Sequence, residues 1–293
     1  MSHSFENVRL VIADNSPMVR SGLKAALYSF GFRNIVDTGQ LVRLHDLLTQ
    51  DSADLVISGS EVENTQVGYL IQEVRHHRLG SNPFLQAIIL LSNADPIYVR
   101  KNIDSGADDL LLMPVAPEQL IARIEKLVNN RKPFIVTRDY IGPDRRNKPR
   151  PGESSAPTLP VPNPLKARVT GSVDSTRLMR QVQEAAQQLN RVKIERHAVQ
   201  IEWLANHLAA SIRDGSGDPA VLVTHSANLV ATVNDTIKRA HGTPVESQES
   251  LLFEILMVAQ RLDAAPTTVG FMEVEKLQTQ ARTLARQVAA LSA

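Results

Sequence analysis

Between residues 8 and 129 the chain alternates short apolar runs with stretches whose apolar positions recur every three to four residues. The runs 8–13, 34–37, 55–58, 87–91 and 110–113 are apolar or β-branched throughout, as strands covered on both faces should be. The stretches 17–30, 42–50, 67–77, 96–104 and 117–129 carry helical spacing, and Pro17 and Pro96 suit the first turn of a helix, where a missing N–H costs nothing. Five such β-α pairs predict an α/β fold: a doubly wound, five-stranded parallel sheet with its functional crevice beyond the carboxyl ends of the strands.

The pattern changes twice beyond residue 130. Residues 148–171 hold six prolines (149, 151, 157, 160, 162 and 164) among serines and glycines, a composition expected of an extended linker. From 172 onward the periodicity is purely helical. Leu178, Val182, Ala185, Leu189, Val192, Val199 and Trp203 form a stripe interrupted by Arg196, which drifts to Ile201, Leu204, Leu208 and Ile212. One helix of about 40 residues is predicted, suited to either a bundle core or a homodimer seam. Asp218-Pro219 marks the start of a second helix, Thr243-Pro244-Val245-Glu246 is a capping box for a third, and Leu277, Ala281, Leu284, Val288 and Leu291 define a fourth. The expected organisation is an α/β domain over 1–130, a basic then proline-rich linker over 131–171, and an all-α antiparallel bundle over 172–293.

Composition narrows the function classes. No apolar run approaches membrane-spanning length, and the first residues lack the layout of a secretory signal. The absence of cysteine excludes disulfides and thiolate metal sites, and fits a cytoplasmic location. The net charge of +1 conceals a segregation: 11 basic and 15 acidic residues in 1–130, 9 and 3 in 131–171, and 12 and 13 in 172–293. The helical part is not basic, so no DNA-binding output domain is expected there.

Several motifs carry a family resemblance. Val11-Ile12-Ala13-Asp14-Asn15-Ser16-Pro17 joins a strand to an acidic cluster, Leu90-Leu91-Ser92 ends a strand in a hydroxyl, and Gly106-Ala107-Asp108-Asp109 leads to Met113-Pro114. Over about 40% of the chain these resemble the receiver domain of CheY-like response regulators. The resemblance implies an acceptor aspartate 45 residues after Asp14, and that position is Gly59. It also implies a second acidic ligand at Asn15, a lysine at Met113 before a cis proline at Pro114, and an aromatic switch residue at Leu110. Asp14, Ser92 and Pro114 keep the family's types. One carboxylate and an amide make a poor Mg²⁺ site, and Met113 offers no charge to a phosphoryl oxygen. A pseudo-receiver without aspartyl phosphorylation is expected. A displaced acceptor at Asp54 or Glu61 is the competing reading.

In 131–150, seven basic side chains interleave with Phe134, Tyr140 and Ile141. The plain expectation is a solvated basic segment whose apolar residues pack back on the preceding domain. The Gly-Pro-Asp-Arg-Arg core also resembles the tails of CheY-like cyclic di-GMP effectors, which makes Arg138, Arg145, Arg146 and Arg150 candidate nucleotide ligands. His225 lacks the lysine and glycine of phosphotransfer domains and shares a face with Leu222, Leu229 and Val233, so a half-buried structural histidine is expected. The combined expectation is a non-catalytic signalling adaptor of two-component type, neither an enzyme nor a holder of metal or cofactor. It would dock signalling partners around Tyr98 and Leu110. A cyclic di-GMP effector and a phosphorelay protein acting through a cryptic acceptor or His225 are the alternatives.

Overall fold

The computed structural model describes residues 4–146, 158–171, 174–214, 218–265 and 269–292. The chain divides into two compact units, residues 1–187 and 188–293, taken separately below.

In the first unit the strands β1 (Arg9–Ala13), β2 (Asn34–Thr38), β3 (Leu55–Gly59), β6 (Gln86–Leu91) and β7 (Asp109–Leu112) form one parallel sheet in the order β2-β1-β3-β6-β7. The helices α1 (Pro17–Ser29), α2 (Leu41–Thr49), α3 (Gly68–Arg75), α4 (Pro96–Asp104) and α5 (Pro117–Asn129) connect them, all within two residues of the predicted limits. Alternate strand residues face opposite layers, as a pleated strand requires. Leu10, Ile12, Leu55, Ile57, Ile88 and Leu90 pack against Leu23 and Leu27 of α1 and Leu120 and Ile124 of α5. Val11, Ala13, Val56 and Ala87 pack against Leu44 and Leu47 of α2 and Leu70 and Val74 of α3. A small hairpin, β4 (Glu61–Val62) with β5 (Thr65–Gln66), follows β3 and was not visible as a pattern in the sequence.

The expected linker is overturned across its described residues. β8 (Phe134–Val136) pairs antiparallel with β9 (Ile141–Pro143) and with β10 (Thr158–Leu159), and α6 (Pro164–Thr170) follows. Phe134 and Leu165 are fully buried, and Leu165 and Val169 belong to the α1/α5 side of the core. Burying those two side chains contributes about 1.5–3 kcal/mol each, which holds a helix too short to form alone. Pro164 occupies the first turn of α6, so this proline starts structure instead of interrupting it. Asn163 explains the attachment: its Oδ1 caps α6 by accepting from Lys166 N at 2.9 Å, and its Nδ2 donates to the last carbonyls of α5, Leu127 at 2.9 Å and Val128 at 3.0 Å.

A buried charge cluster fixes the hairpin. Arg75 is fully buried and donates to the carbonyls of Gly106, Pro83 and Leu85 and to Asp108 Oδ2 at 2.8 Å. Arg131 reaches Phe84 O at 2.6 Å and Asp108 Oδ1 at 3.4 Å. Both guanidinium groups lie over the Phe134 ring, at 5.2 and 5.3 Å from its centroid. Burial lowers the pKa of both arginines, that of Arg131 to about 10, with Asp108 opposing the shift. Gly106 has φ +80, and a Cβ there would run into the Ile141 carbonyl, so only glycine lets β9 approach this closely.

In the second unit the later part of α7 (Ser175–Asp214), α8 (Pro219–Ala240), α9 (Glu249–Ala264) and α10 (Phe271–Ser292) share one apolar core. The 40-residue α7 is as long as predicted, and its expected stripe is buried at Leu189, Ile201, Leu204 and Leu208 but not at Val199 and Trp203. Leu189, Ile194, Ala198, Ile201, Ala205 and Leu208 are buried, while Val199 and Trp203 are 61% and 46% exposed. Arg196 only half-interrupts the pattern, and the buried polar residues on this stripe are Lys193 and His197. Asp218 caps α8 through Ala220 N. The predicted capping box forms one residue out of place: Thr243 accepts from Val245 N, but Glu246 reaches back to Gly242 N and opens a 3₁₀ turn, Pro244–Gln248, ahead of α9. Leu277, Ala281, Leu284 and Val288 are buried as expected, whereas Leu291 is 41% exposed.

Candidate functional site

The crevice beyond the strands' carboxyl ends is built by the turns after β1, β3, β6 and β7. The register sets Ala13 beside Ser58 and Gly59 beside Leu90, so Asp14 and Gly59 emerge next to each other. A Cβ built on Gly59 would lie 2.6 Å from Asp14 Oδ2. The Asp14 carboxylate therefore occupies the space into which a side chain at position 59 would point. Its Oδ1 accepts from Ser16 N at 2.7 Å, which orients it at the start of α1.

The other predicted site positions make structural contacts. Asn15 Oδ1 accepts from Glu63 N at 2.8 Å and its Nδ2 donates to Glu61 O at 3.4 Å, so the amide ties down the β4–β5 hairpin. A carboxylate at position 15 could not make the second of these bonds. Met113 packs against the α1/α5 core, and the Met113–Pro114 peptide is cis. It borders an apolar cleft of about 290 Å³ lined by Val19, Leu23, Ala26 and Leu120. Ser92 lies 3.4 Å from the Tyr98 hydroxyl, which also makes a short hydrogen bond with Ser60. Tyr98 is thereby folded inward, where it joins Val99 and Leu110 around Ile89, Leu91 and Ala107. The expected docking face keeps Leu110 and Tyr98 half-buried, and Ile97, 81% exposed, is its outermost apolar residue.

Of the two displaced acceptors, Asp54 lies away from the crevice and Glu61 borders it, its carbonyl accepting from Asn15 Nδ2. Asp54 is buried at the amino end of β3, ion-paired with Arg9 at 2.7 Å and Arg168 at 3.3 Å. That pairing, with a residue of the supposed linker, is not marked by any spacing in the sequence. Glu61 is exposed on the hairpin, hydrogen-bonded to Gln66.

The described candidate nucleotide ligands each have a partner within the fold. Arg145 donates to Ala107 O at 2.6 Å, Arg146 pairs with Asp144 at 3.0 Å, and Arg138 pairs with Asp139 at 2.6 Å on the exposed β8–β9 turn. Arg150 lies outside the described residues. Burial raises the pKa of the Tyr140 phenol, which donates to Pro143 O at 2.9 Å. The tail thus packs back on the sheet, as the plainer expectation held, and does so as ordered strands.

In the helical unit His225 is half-buried, its Nδ1 without a hydrogen-bond partner among the described residues, and its ring stands edge-on to Trp203 and His207. His197 is buried against α8. Thr236 sends its own hydroxyl hydrogen to Thr232 O, so it accepts from His197 Nδ1 at 3.1 Å. Burial, reinforced by Lys193, drives the His197 pKa down, and Asp235 only partly opposes this. No group of three His, Cys, Asp or Glu side chains among the described residues is placed to hold a metal ion, and no described helix is long and apolar enough to cross a membrane.

A five-stranded parallel sheet in the order 2-1-3-4-5 with helices on both faces is the architecture of receivers. The N-terminal unit has the receiver fold. No family model matches the sequence, and no curated protein does. Among solved structures, the CheY-like receiver of Methanospirillum hungatei JF-1 is 17% identical, covering 41% of this chain and 91% of its own, with a TM-score of 0.37. The chemotaxis protein CheY4 of Vibrio cholerae is 17% identical over 41% and 97%, TM-score 0.36. The receiver domain of a signal transduction histidine kinase from Syntrophus aciditrophicus is 23% identical over 41% and 88%, TM-score 0.34.

Proposed function

We propose that the protein is a non-catalytic signalling adaptor: a receiver fold that binds partners without aspartyl phosphorylation, joined to a helical interaction unit. The observation that carries this reading is the Asp14 carboxylate lying where an acceptor side chain would have to go. Phosphoryl transfer depends on positioning a metal, an acceptor and a cation around one phosphorus. Here the acceptor is glycine, the second ligand is an amide bound to the hairpin backbone, and the cation is a methionine packed in the core. The partner surface would be the α4–β7 face, with Ile97 exposed and Tyr98 and Leu110 behind it.

The test is incubation of the full chain with acetyl phosphate and Mg²⁺, read by intact mass. No phosphoryl adduct is expected. An adduct that disappears in Glu61→Gln or Asp14→Asn would sink the reading and favour a cryptic acceptor. On the positive side, Ile97→Asp should weaken capture of the physiological partner without changing the melting temperature.

The cyclic di-GMP reading has less support. It rests on the basic sequence, while Arg145 and Arg146 are engaged within the fold. Calorimetry with cyclic di-GMP, comparing the wild type with Arg138→Ala and Arg145→Ala/Arg146→Ala, decides it. Heat lost in either variant supports a receptor role. The phosphotransfer alternative for His225 is disfavoured by its half-buried, edge-packed ring.

A further inference from the structure

A further recess opens at the amino ends of the strands, across the sheet from the crevice. It has a volume of about 420 Å³ and is walled by Glu6 and Asn7 ahead of β1, Arg9 at its start, Asn34 at the start of β2, Arg168 of α6 and Ser175 of α7. Two of these side chains converge on one atom. Arg9 Nε and Arg168 Nε lie 3.1 and 3.3 Å from the same oxygen, Asp54 Oδ2, and Arg9 Nη2 donates to Oδ1 at 2.7 Å. Asp54 is buried, and it sets one negative charge against two positive ones. The contacts tie α6 to the sheet but leave part of each guanidinium unused. Arg9 Nη1 and both Nη atoms of Arg168 have no partner among the described residues.

We propose that this recess binds a small phosphate monoester that also carries hydroxyl groups. A guanidinium holds five N–H donors in a planar fork, so one occupied by a carboxylate can still donate to phosphate oxygens. Because both guanidinium groups meet the same Asp54 oxygen, they lie close enough together for one phosphate to reach both. Their side chains are 37% and 35% exposed, which keeps the spare donors open to a ligand while half-covering the charge. A dianion suits such a pair better than a single carboxylate does, since charge-assisted bonds to both forks add. Glu6 shapes the rest of the ligand. It repels a bare anion but accepts from hydroxyl groups, and the amides of Asn7 and Asn34 can bond to the same groups. The volume is within the range of small-molecule sites and larger than an inorganic ion needs.

The test is calorimetry of the full chain with ribose 5-phosphate, inorganic phosphate and ribose, all at one ionic strength. Ribose 5-phosphate should bind saturably, one per chain, with inorganic phosphate weaker and ribose silent. Arg168→Gln should weaken the ester at least about tenfold, and Arg168→Lys should recover part of the loss. Glu6→Gln should tighten inorganic phosphate and bring its affinity towards that of the ester. Glu6 is exposed, so this variant keeps the fold and decides the matter even if Arg168→Gln loosens α6. No saturable heat with ribose 5-phosphate at millimolar concentration would overturn the site. So would ribose or inorganic phosphate binding the wild type as tightly as the ester, or affinities left unchanged by both Arg168→Gln and Glu6→Gln.

Discussion

Two charged clusters sit on the same sheet and have met opposite fates. At the carboxyl edge, Asp14 stands partly exposed beside a glycine, an amide and a methionine, and its bonds serve only to shape local turns. On the side where the β8–β9 hairpin docks, Arg75, Asp108 and Arg131 are buried, each held by several hydrogen bonds and covered by Phe134. The first cluster is open to solvent at the strands' carboxyl ends, and the second is buried and closes the structure.

The sharpest way to break the comparison is to remove one carboxylate from each cluster. Asp108→Ala leaves two buried guanidinium groups and the Ala87 N–H without their acceptor, and should cost about 3–5 kcal/mol in urea unfolding. Asp14→Ala should cost under about 1 kcal/mol. Equal costs would erase the distinction.

The helical unit extends it to a third buried polar cluster. His197 has a folded pKa below its unfolded value, so the unfolded chain takes up a proton first as pH falls. Its contribution is therefore complete above about pH 6.5 and declines as the pH drops below that. Between pH 6.5 and 5 the loss should be about 2 kcal/mol, and His197→Gln should flatten the profile. A pH-independent helical unit over that range would contradict the assignment.

Restoring the acceptor probes the first cluster from the other direction. Gly59→Asp would force Asp14 aside and set two carboxylates together, costing roughly 1–2 kcal/mol at neutral pH, an effect that Mg²⁺ should reduce only when Asn15→Asp is added. Detectable phosphorylation of Gly59→Asp alone would mean that Met113 and Asn15 are no obstacle. A small effect is expected at the tail. Asn163→Ala removes the α6 cap and the bridge to α5, costing about 1 kcal/mol, with faster amide exchange confined to α6.

The parallel sheet was legible because each strand is an apolar run closed by turn residues, with a helical period between neighbours. The hairpin and α6 were not. Phe134, Ile135 and Val136 make too short a run to stand out among basic residues, and prolines that start a helix read the same as prolines in a linker. For the crevice, the sequence predicted which residues line it but not how they are arranged. That Asp14 fills the space beside Gly59 depends on the register of β1 against β3. The meeting of His207 and His225, 18 positions apart on separate helices, comes from the packing of α7 against α8, which no spacing in the sequence marks.

Tyr98, with its hydroxyl held by Ser60 and Ser92, carries a last consequence. In the adaptor reading, the face it supports has a single setting, with no covalent mark to raise or lower its affinity. A partner docking there counts copies of the protein, and the message becomes a concentration, set by synthesis and turnover on the scale of minutes and not by a phosphoryl group's lifetime.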